Sequence, residues 1–206
     1  MITLRRFKRL EADLRADGYG PMIEWSQSIA APTDARELAE RAIFVICNSG
    51  MKYTVARPIF ERCMTALLEG RSASQAFGHP GKARAIDAIW AERQSLFDQF
   101  STGHSTLDLV AALPWIGPVT KYHLAKNLGI DTAKPDIHLE RLARRDGTTP
   151  HRLCKRLASQ AGYRLATIDT ILWRACADGI LSSSRYKTNG WREAYRSRPR
   201  KRNSGA

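Results

Sequence analysis

Apolar residues recur every three or four positions along almost the whole chain, which is the spacing of one face of an α-helix. Runs of β-branched residues bounded by turns, which are typical of strands, are lacking. The pattern therefore predicts an all-α fold. Predicted helices run from about Thr3 to Ala16, Pro21 to Ala30, Thr33 to Asn48, Thr54 to Leu68, Lys82 to Phe100, Ser105 to Ala112, Pro118 to Asn127, Pro135 to Arg145, Thr149 to Ala161 and Leu165 to Ala177.

Residues that begin or end helices stand at many of these boundaries. Thr33, Ser105 and Thr149 precede periodic runs, where a hydroxyl can accept hydrogen bonds from first-turn amides. Pro118 and Pro150 suit the first position of a helix, which needs no amide hydrogen bond. Glycines follow periodic runs where a left-handed C-cap residue is expected, at Gly18, Gly50, Gly70, Gly129, Gly147, Gly162 and Gly179.

Composition sets the scale of the fold. With 43% hydrophobic residues among 206, the chain can bury one core or two smaller lobes that share a cleft. The longest apolar run, Ala42 to Cys47, is far shorter than the roughly 20 residues that cross a bilayer. The basic amino-terminal segment continues into a charged amphipathic stretch and lacks the apolar core of a signal peptide. These features predict a soluble, cytoplasmic protein without membrane contact.

No metal or cofactor is predicted. The cysteines are spread along the chain in apolar helical patterns, which is typical of structural thiols rather than of zinc or iron-sulfur ligands. They are Cys47, Cys63, Cys154 and Cys176. The histidines also lack metal-site spacing with carboxylates or thiols; those in question are His104, His123 and His151.

Net charge is the strongest compositional signal. The chain carries 33 Lys and Arg against 20 Asp and Glu, a formal charge of +13, which favours a polyanionic partner and nucleic acid first. The segment from Arg185 to Arg202 holds eight basic residues and one glutamate. Two interpretations of this basic tail, residues 185–206, stay open: a solvated extension that aids solubility, or an arm that releases counterions from phosphates.

The segment from Leu113 to Thr120 carries candidate chemistry. It reads Leu-Pro-Trp-Ile-Gly-Pro-Val-Thr and joins two predicted helices by a short turn. Gly117 lets the backbone approach another chain closely, and the amides of the next first turn can point at a phosphate oxygen. Such a contact positions a nucleic acid without reading its bases. An ordinary αα-hairpin is the alternative interpretation.

A second motif, Asp-x-His-x-x-Arg from Asp136 to Arg141, follows about twenty residues later. The two motifs together, Leu-Pro-x-Ile-Gly followed about twenty residues later by Asp-x-His-x-x-Arg, resemble the endonuclease III branch of the helix-hairpin-helix DNA glycosylase superfamily. More weakly, Ile46 to Met51 and Pro58 to Arg62 are similar to the helix, loop and helix that fill the gap left by a flipped base. The similar segments cover roughly Ala42 to Arg145.

The resemblance implies a role for each motif. Asp136 is the expected catalytic residue, while His138 and Arg141 support the site and the lobe junction. The hairpin, residues 113–119, holds double-stranded DNA. The implied DNA contacts are Pro114, Ile116, Gly117, Val119, Thr120, Lys121, Asn48 and Ser49. A lobe of residues 41–145 is expected to face a second lobe built from residues 1–40 and 146–184, with the active-site cleft between them.

The chemistry of base excision suits a carboxylate at this position. Breaking an N-glycosidic bond develops positive charge on the sugar, which a fixed carboxylate can stabilise. Asp136 follows Pro135 near the amino end of a predicted helix, where backbone amides and the helix dipole favour an ionised group. A plain helix N-cap is the alternative role for Asp136, and a satisfied buried histidine is the favoured role for His138 over direct catalysis.

The chain also departs from the resembling family. Bifunctional members carry a nucleophilic lysine two positions after the hairpin glycine, where this chain has Val119, and Lys121 should face elsewhere on the helix. A monofunctional enzyme without lyase activity is therefore expected, with Lys121 on a phosphate. The glutamate of adenine-excising members corresponds to Val45, and Trp115 replaces the usual hairpin glycine.

A flipped base needs apolar or aromatic walls and polar groups that read its edge. The candidate pocket residues are Trp25, Tyr53, Tyr122 and Asp169, although each aromatic also suits a core. Asp169 lies in an apolar helix, where it is either a structural acceptor or a pocket residue. The sequence thus predicts a monomeric, cofactor-free glycosylase for a damaged, mismatched or modified base. A non-catalytic DNA-binding protein and an RNA-binding helical protein are the alternatives.

Overall fold

The structure is a computed structural model that describes residues 1–102 and 107–196. Those ranges contain thirteen α-helices, one short 3-10 helix and no strand, which confirms the all-α prediction. The α-helices are α1 (Leu4–Ala16), α2 (Gly20–Ser28), α3 (Ala35–Asn48), α4 (Tyr53–Leu68), α5 (Pro80–Ala91), α6 (Arg93–Thr102), α7 (Leu107–Ala111), α8 (Thr120–Asn127), α9 (Ile137–Arg145), α10 (Pro150–Ala161), α11 (Leu165–Ala177), α12 (Ser183–Asn189) and α13 (Trp191–Ala194), and the 3-10 helix is Ala73–Gln75. None of these helices is both long and apolar enough to cross a membrane.

Unit 1 consists of Met1–Ser28 and, within the described part of the chain, residues 131–196. Its central element is α11, against which α1, α2, α9 and α10 pack. The apolar face of α1 presents Phe7, Leu10 and Leu14, all fully buried, at the three- and four-residue spacing of a helix stripe. The core of unit 1 therefore needs residues from both ends of the chain.

Unit 2 is the continuous segment Ile29–Ile130. Its central element is α3, which packs on α4, α5, α6 and α8 and buries nearly its whole second half. The two ends of unit 2 lie side by side: the Arg41 guanidinium donates to the carbonyls of Ala30, at 2.7 Å, and Asn127, at 2.8 Å. Gly129 approaches Ala30 so closely that a Cβ atom would lie 2.6 Å from the Ala30 backbone, and its φ is +80°.

The unit boundaries differ from the predicted ones. Residues 29–40 belong with residues 41–130, because α3 is one uninterrupted helix at the centre of unit 2. Residues 131–145 belong to unit 1, because α9 packs on α10, α11 and α12. Asp136 therefore lies in the unit built from both ends of the chain, and the hairpin lies in the other.

The predicted basic tail is wrong for residues 185–196. This stretch forms most of α12 and all of α13, and both helices pack on unit 1. Tyr186 is fully buried, and its hydroxyl donates to Asp146 Oδ1 at 2.5 Å. Periodicity missed these helices because they are short and rich in charge. Residues 197–206 lie outside the described part.

Most predicted helix boundaries are confirmed. All seven C-cap glycines have positive φ, between +66° and +90°. Thr149 accepts a hydrogen bond from the Arg152 amide, and Pro150 is the first residue of α10. Other details were wrong: Asp34, not Thr33, caps α3, and α8 begins at Thr120 rather than at Pro118. The single helix predicted from Lys82 to Phe100 is instead two helices, α5 and α6. The predicted cap at Ser105 lies outside the described residues, as does His104.

Candidate functional site

The Asp136 carboxylate occupies the N-cap of α9. Its Oδ1 atom accepts hydrogen bonds from the backbone amides of His138, at 2.9 Å, and Leu139, at 3.0 Å. The side chain is half-buried. Within residues 1–102 and 107–196, the second oxygen, Oδ2, has no hydrogen-bond or ion-pair partner. The N-cap role foreseen for Asp136 thus uses one oxygen and leaves the other available.

Helix α11 holds the loop that leads to Asp136. The buried carboxylate of Asp169 accepts a hydrogen bond from the Lys134 amide at 3.0 Å. At the start of the same loop, Asp131 Oδ1 accepts from the Ala166 amide at 3.0 Å, in the first turn of α11. Asp169 is therefore a structural acceptor rather than the predicted pocket residue, because burial at 1% exposure keeps it from a base.

His138 links α9 to α12. Its Nδ1 atom lies 2.9 Å from the hydroxyl of Ser183, a buried residue at the start of α12. This contact gives one ring nitrogen of His138 a partner, and its supporting role remains a prediction. Arg141, one turn further along α9, is half-buried and makes no ion pair or side-chain hydrogen bond within the residues that the structure describes.

Cys176 is a neighbour of Asp136 that the sequence did not identify. Burial and then the charge of Asp136 raise the pKa of the Cys176 thiol to about 12, so the thiol stays protonated at neutral pH. All four cysteines are buried, as predicted for structural thiols. Cys176, Ser183 and Asp169 follow Asp136 by 33 to 47 positions, and no local motif connects them to it.

The hairpin turns from α7 into α8 and leaves amides unpaired. The Ile116 amide donates to Leu113 O at 3.2 Å, and the Lys121 amide donates to Gly117 O at 3.0 Å. The amides of Gly117, Val119 and Thr120 have no acceptor in the described part of the chain. Three backbone donors at the start of a helix form the kind of arrangement that binds a phosphate oxygen.

Trp115 holds the hairpin against α5. Its φ is +65°, in the left-handed region that a glycine adopts without strain. The indole packs directly on Gly81, where an added Cβ would lie 2.5 Å from Trp115 Cζ3. The His79 ring lies edge-on to the same indole, with 5.1 Å between ring centroids.

The hairpin side chains divide into buried and exposed sets. Ile116 is only 8% exposed and its side chain belongs to the core of unit 2, so its part in binding DNA remains a prediction. Pro114 and Val119 are exposed, and Thr120 is half-buried. The Lys121 ammonium lies over the Tyr122 ring, 5.4 Å from its centroid.

The loop after α3, which is predicted to fill the gap left by a flipped base, is anchored by a buried lysine. Lys82 Nζ donates to the carbonyl of Ser49 at 2.6 Å and lies 3.5 Å from the carbonyl of Cys47. Burial lowers the pKa of this lysine. The Ser49 hydroxyl and the Asn48 amide both donate to carbonyls of α3, at 2.8 Å each. Both side chains stay half-exposed, and their role as DNA contacts remains a prediction.

The predicted pocket aromatics divide between the units. Trp25 lies in unit 1 and is 50% exposed, whereas Tyr53 lies in unit 2 and is 57% exposed. Tyr53 contacts Phe44 edge-on, with 6.3 Å between centroids, and Tyr122 is half-buried in α8. Their part in holding a base remains a prediction. The described residues contain no cluster of three or more His, Cys, Asp or Glu side chains suited to a metal ion.

Comparison with known proteins adds no family assignment. No family model matches this sequence, and neither the curated proteins nor the solved structures contain a match.

Proposed function

We propose that this chain is a DNA glycosylase that hydrolyses the bond between a flipped base and its deoxyribose. The observation that carries the proposal is the state of the Asp136 carboxylate. Two amides fix its Oδ1 atom, while Oδ2 has no hydrogen-bond partner among the described residues. The helix-hairpin-helix resemblance gives the same residue the catalytic position.

A carboxylate held in this way suits the charge that develops during base excision. As the bond to the base breaks, the electron pair leaves with the base and positive charge grows on the sugar. An oxygen positioned beforehand stabilises that charge without reorganisation. Asp136 Oδ2 also can orient the water that adds its hydroxyl to the sugar carbon, the water's proton going to the departing base. The product is an abasic site.

The hairpin supports a DNA substrate. Its unpaired amides at Gly117, Val119 and Thr120 are suited to a backbone phosphate. Val119 is 43% exposed and stands where bifunctional members carry their lysine, and a valine side chain cannot form a Schiff base. We therefore propose hydrolysis without strand cleavage, and expect borohydride to trap no covalent adduct between protein and DNA.

The test is Asp136→Asn, which keeps a capping oxygen and removes the charge. A screen of duplexes carrying uracil, thymine mismatches, 8-oxoguanine, alkylated purines or hypermodified pyrimidines first identifies the substrate, with alkali revealing abasic sites. We expect Asp136→Asn to lower the excision rate by about 10²- to 10³-fold. Duplex affinity and thermal stability should be unchanged, because Asn is also a good N-cap residue.

Asp34→Asn is the matched control, because Asp34 caps α3 in the same way by accepting from the Glu37 amide at 2.8 Å. Its excision rate should equal that of the unmodified protein. Undiminished excision by Asp136→Asn contradicts the catalytic assignment. Duplex binding without excision of any base in the screen supports the second candidate, a non-catalytic DNA-binding protein, which the unpaired hairpin amides also favour.

A further inference from the structure

A basic groove of about 440 Å³ lies on unit 1, and its lining residues come from elements other than α9. It is lined by Met1, Thr3, Arg5, Arg6, Arg9 and Trp191. The three arginines come from α1, and Trp191 is the first residue of α13. The groove thus exists only because the segment after Ser184 folds back onto α1.

Two aromatic rings, one at the start of α13 and one directly after it, fix two of the arginines. Trp191 and Tyr195 stack with 5.0 Å between centroids and 10° between ring planes. The Arg6 guanidinium lies 5.3 Å from the Trp191 ring centroid, and that of Arg9 lies 4.8 Å from the Tyr195 ring centroid. Arg9 Nε also donates to the Tyr195 hydroxyl at 2.9 Å. These contacts hold the cations before any ligand arrives, which lowers the entropy lost on binding.

Among the described residues, no acidic side chain lines the groove, although Asp13 accepts from the Tyr195 hydroxyl beside Arg9 and Asp146 lies 3.5 Å from the Met1 amino group. The Arg5 side chain is exposed and makes no ion pair or hydrogen bond within residues 1–102 and 107–196. The first turn of α1 contains no acidic residue, although the positive end of a helix dipole favours one. Three arginines at this end repel one another and the dipole, and a bound anion relieves that repulsion.

We propose that this groove binds the phosphodiester backbone of duplex DNA, as a second contact surface besides the hairpin. Guanidinium groups form paired hydrogen bonds with phosphate oxygens, and the row of three along α1 suits a chain of phosphates. The inference rests on the proposed function for the identity of the polyanion. It replaces the predicted basic arm by a groove whose cations are partly fixed.

The experiment measures the affinity of the full chain for a labelled duplex as a function of salt. Each phosphate contact contributes about 0.9 to the slope of log affinity against log salt concentration. We expect Arg5→Gln to lower the slope by about 0.9 and Arg5→Gln combined with Arg9→Gln to lower it by about 1.8. Arg152→Gln, on an exposed arginine of α10 without a side-chain partner in the described residues, is the control and should leave the slope unchanged.

Arg5→Gln removes no contact of the fold, so a changed slope in this variant cannot come from unfolding. An unchanged slope in both groove variants, or an equal loss in Arg152→Gln, overturns the proposal while leaving base excision intact. Loss of slope in a protein that excises no base supports the groove and contradicts the enzyme. Tighter binding of structured RNA than of the duplex overturns the assignment to DNA.

Discussion

At the scale of single residues, Trp115 and Gly81 pack directly on each other, and this contact restricts which residues both positions can hold. A tryptophan with φ of +65° is strained by about 1–3 kcal/mol, and its indole lies where a side chain at position 81 would be. Gly81 lies in the first turn of α5, where alanine is normally the better helix former. Contact with the hairpin therefore decides which residue position 81 can hold.

The effect of Gly81→Ala on protein stability should have opposite signs with tryptophan and with glycine at position 115. In the unmodified chain, the new methyl group meets Trp115 and should destabilise the protein by about 1–3 kcal/mol. In a Trp115→Gly background the clash is gone, and the same change should stabilise the protein by up to about 1 kcal/mol. Denaturant melts of the four proteins measure both effects. The same sign in both backgrounds would contradict the packing of the indole on Gly81.

Glu11 is a buried carboxylate that ties α1 to the loop after α10. Its oxygens accept hydrogen bonds from Tyr163 at 2.5 Å, Lys8 at 2.9 Å and Arg15 at 3.1 Å. Burial by itself raises the pKa of Glu11, but the hydrogen bonds from Tyr163, Lys8 and Arg15 outweigh it, and the pKa is lowered. The ionised form is therefore favoured in the folded protein.

Protonation of Glu11 should lower the free energy of unfolding in acid. Because the folded pKa lies below the unfolded value of about 4.3, the contribution of Glu11 is complete above that value and is lost as pH falls through the lowered pKa. Glu11→Gln should destabilise the protein at pH 7 by about 2 kcal/mol and flatten the pH dependence below pH 5. Denaturant melts between pH 3 and 7 measure it, and an equally steep acid loss in Glu11→Gln would contradict it.

Only the local contacts of the candidate site could be predicted from the sequence. The N-cap of Asp136 follows from a local pattern, because a cap bonds amides two and three positions ahead. Its support by Asp169 could not be predicted, since an acidic residue in an apolar helix has many possible partners. The same holds for His138 and Ser183, which are 45 positions apart and meet only through the packing of α9 on α12.

At the scale of elements, strong periodicity and glycine caps predicted the long helices within a few residues. The exception is the predicted helix from Lys82 to Phe100, which is interrupted at Glu92 without a glycine or proline. Both of its parts, α5 and α6, pack on α3. The local pattern holds no signal for this break, so the sequence could not predict it.

Two truncations separate the packed helices α12 and α13 from the basic residues beyond them. A chain ending at Ser184 loses the buried Tyr186 and its bond to Asp146, which should cost about 3–5 kcal/mol or prevent cooperative melting. A chain ending at Arg196 keeps both helices and should melt as the full chain does. Equal melting temperatures for the two truncated chains would contradict the packing of α12.

At the scale of the whole molecule, the charge of +13 is partly organised by the fold. Four of the basic residues lie beyond Arg196, while the groove holds three arginines on α1. The chain ending at Arg196 therefore also tests where DNA is held: its salt slope should retain the part contributed by Arg5, Arg6 and Arg9. Composition alone predicts a polyanionic partner but cannot say which cations are fixed.

The division of the chain into units has a consequence for its biosynthesis. A ribosome completes residues 29–130, the whole of unit 2, before α9 to α13 have been made. At about 5–20 residues per second, roughly 100 residues take about 5–20 s. Throughout that interval Phe7, Leu10 and Leu14 lack the α11 face that later covers them. We expect the nascent chain to carry a folded unit 2 beside an exposed apolar stripe on α1, which is the kind of surface that chaperones bind.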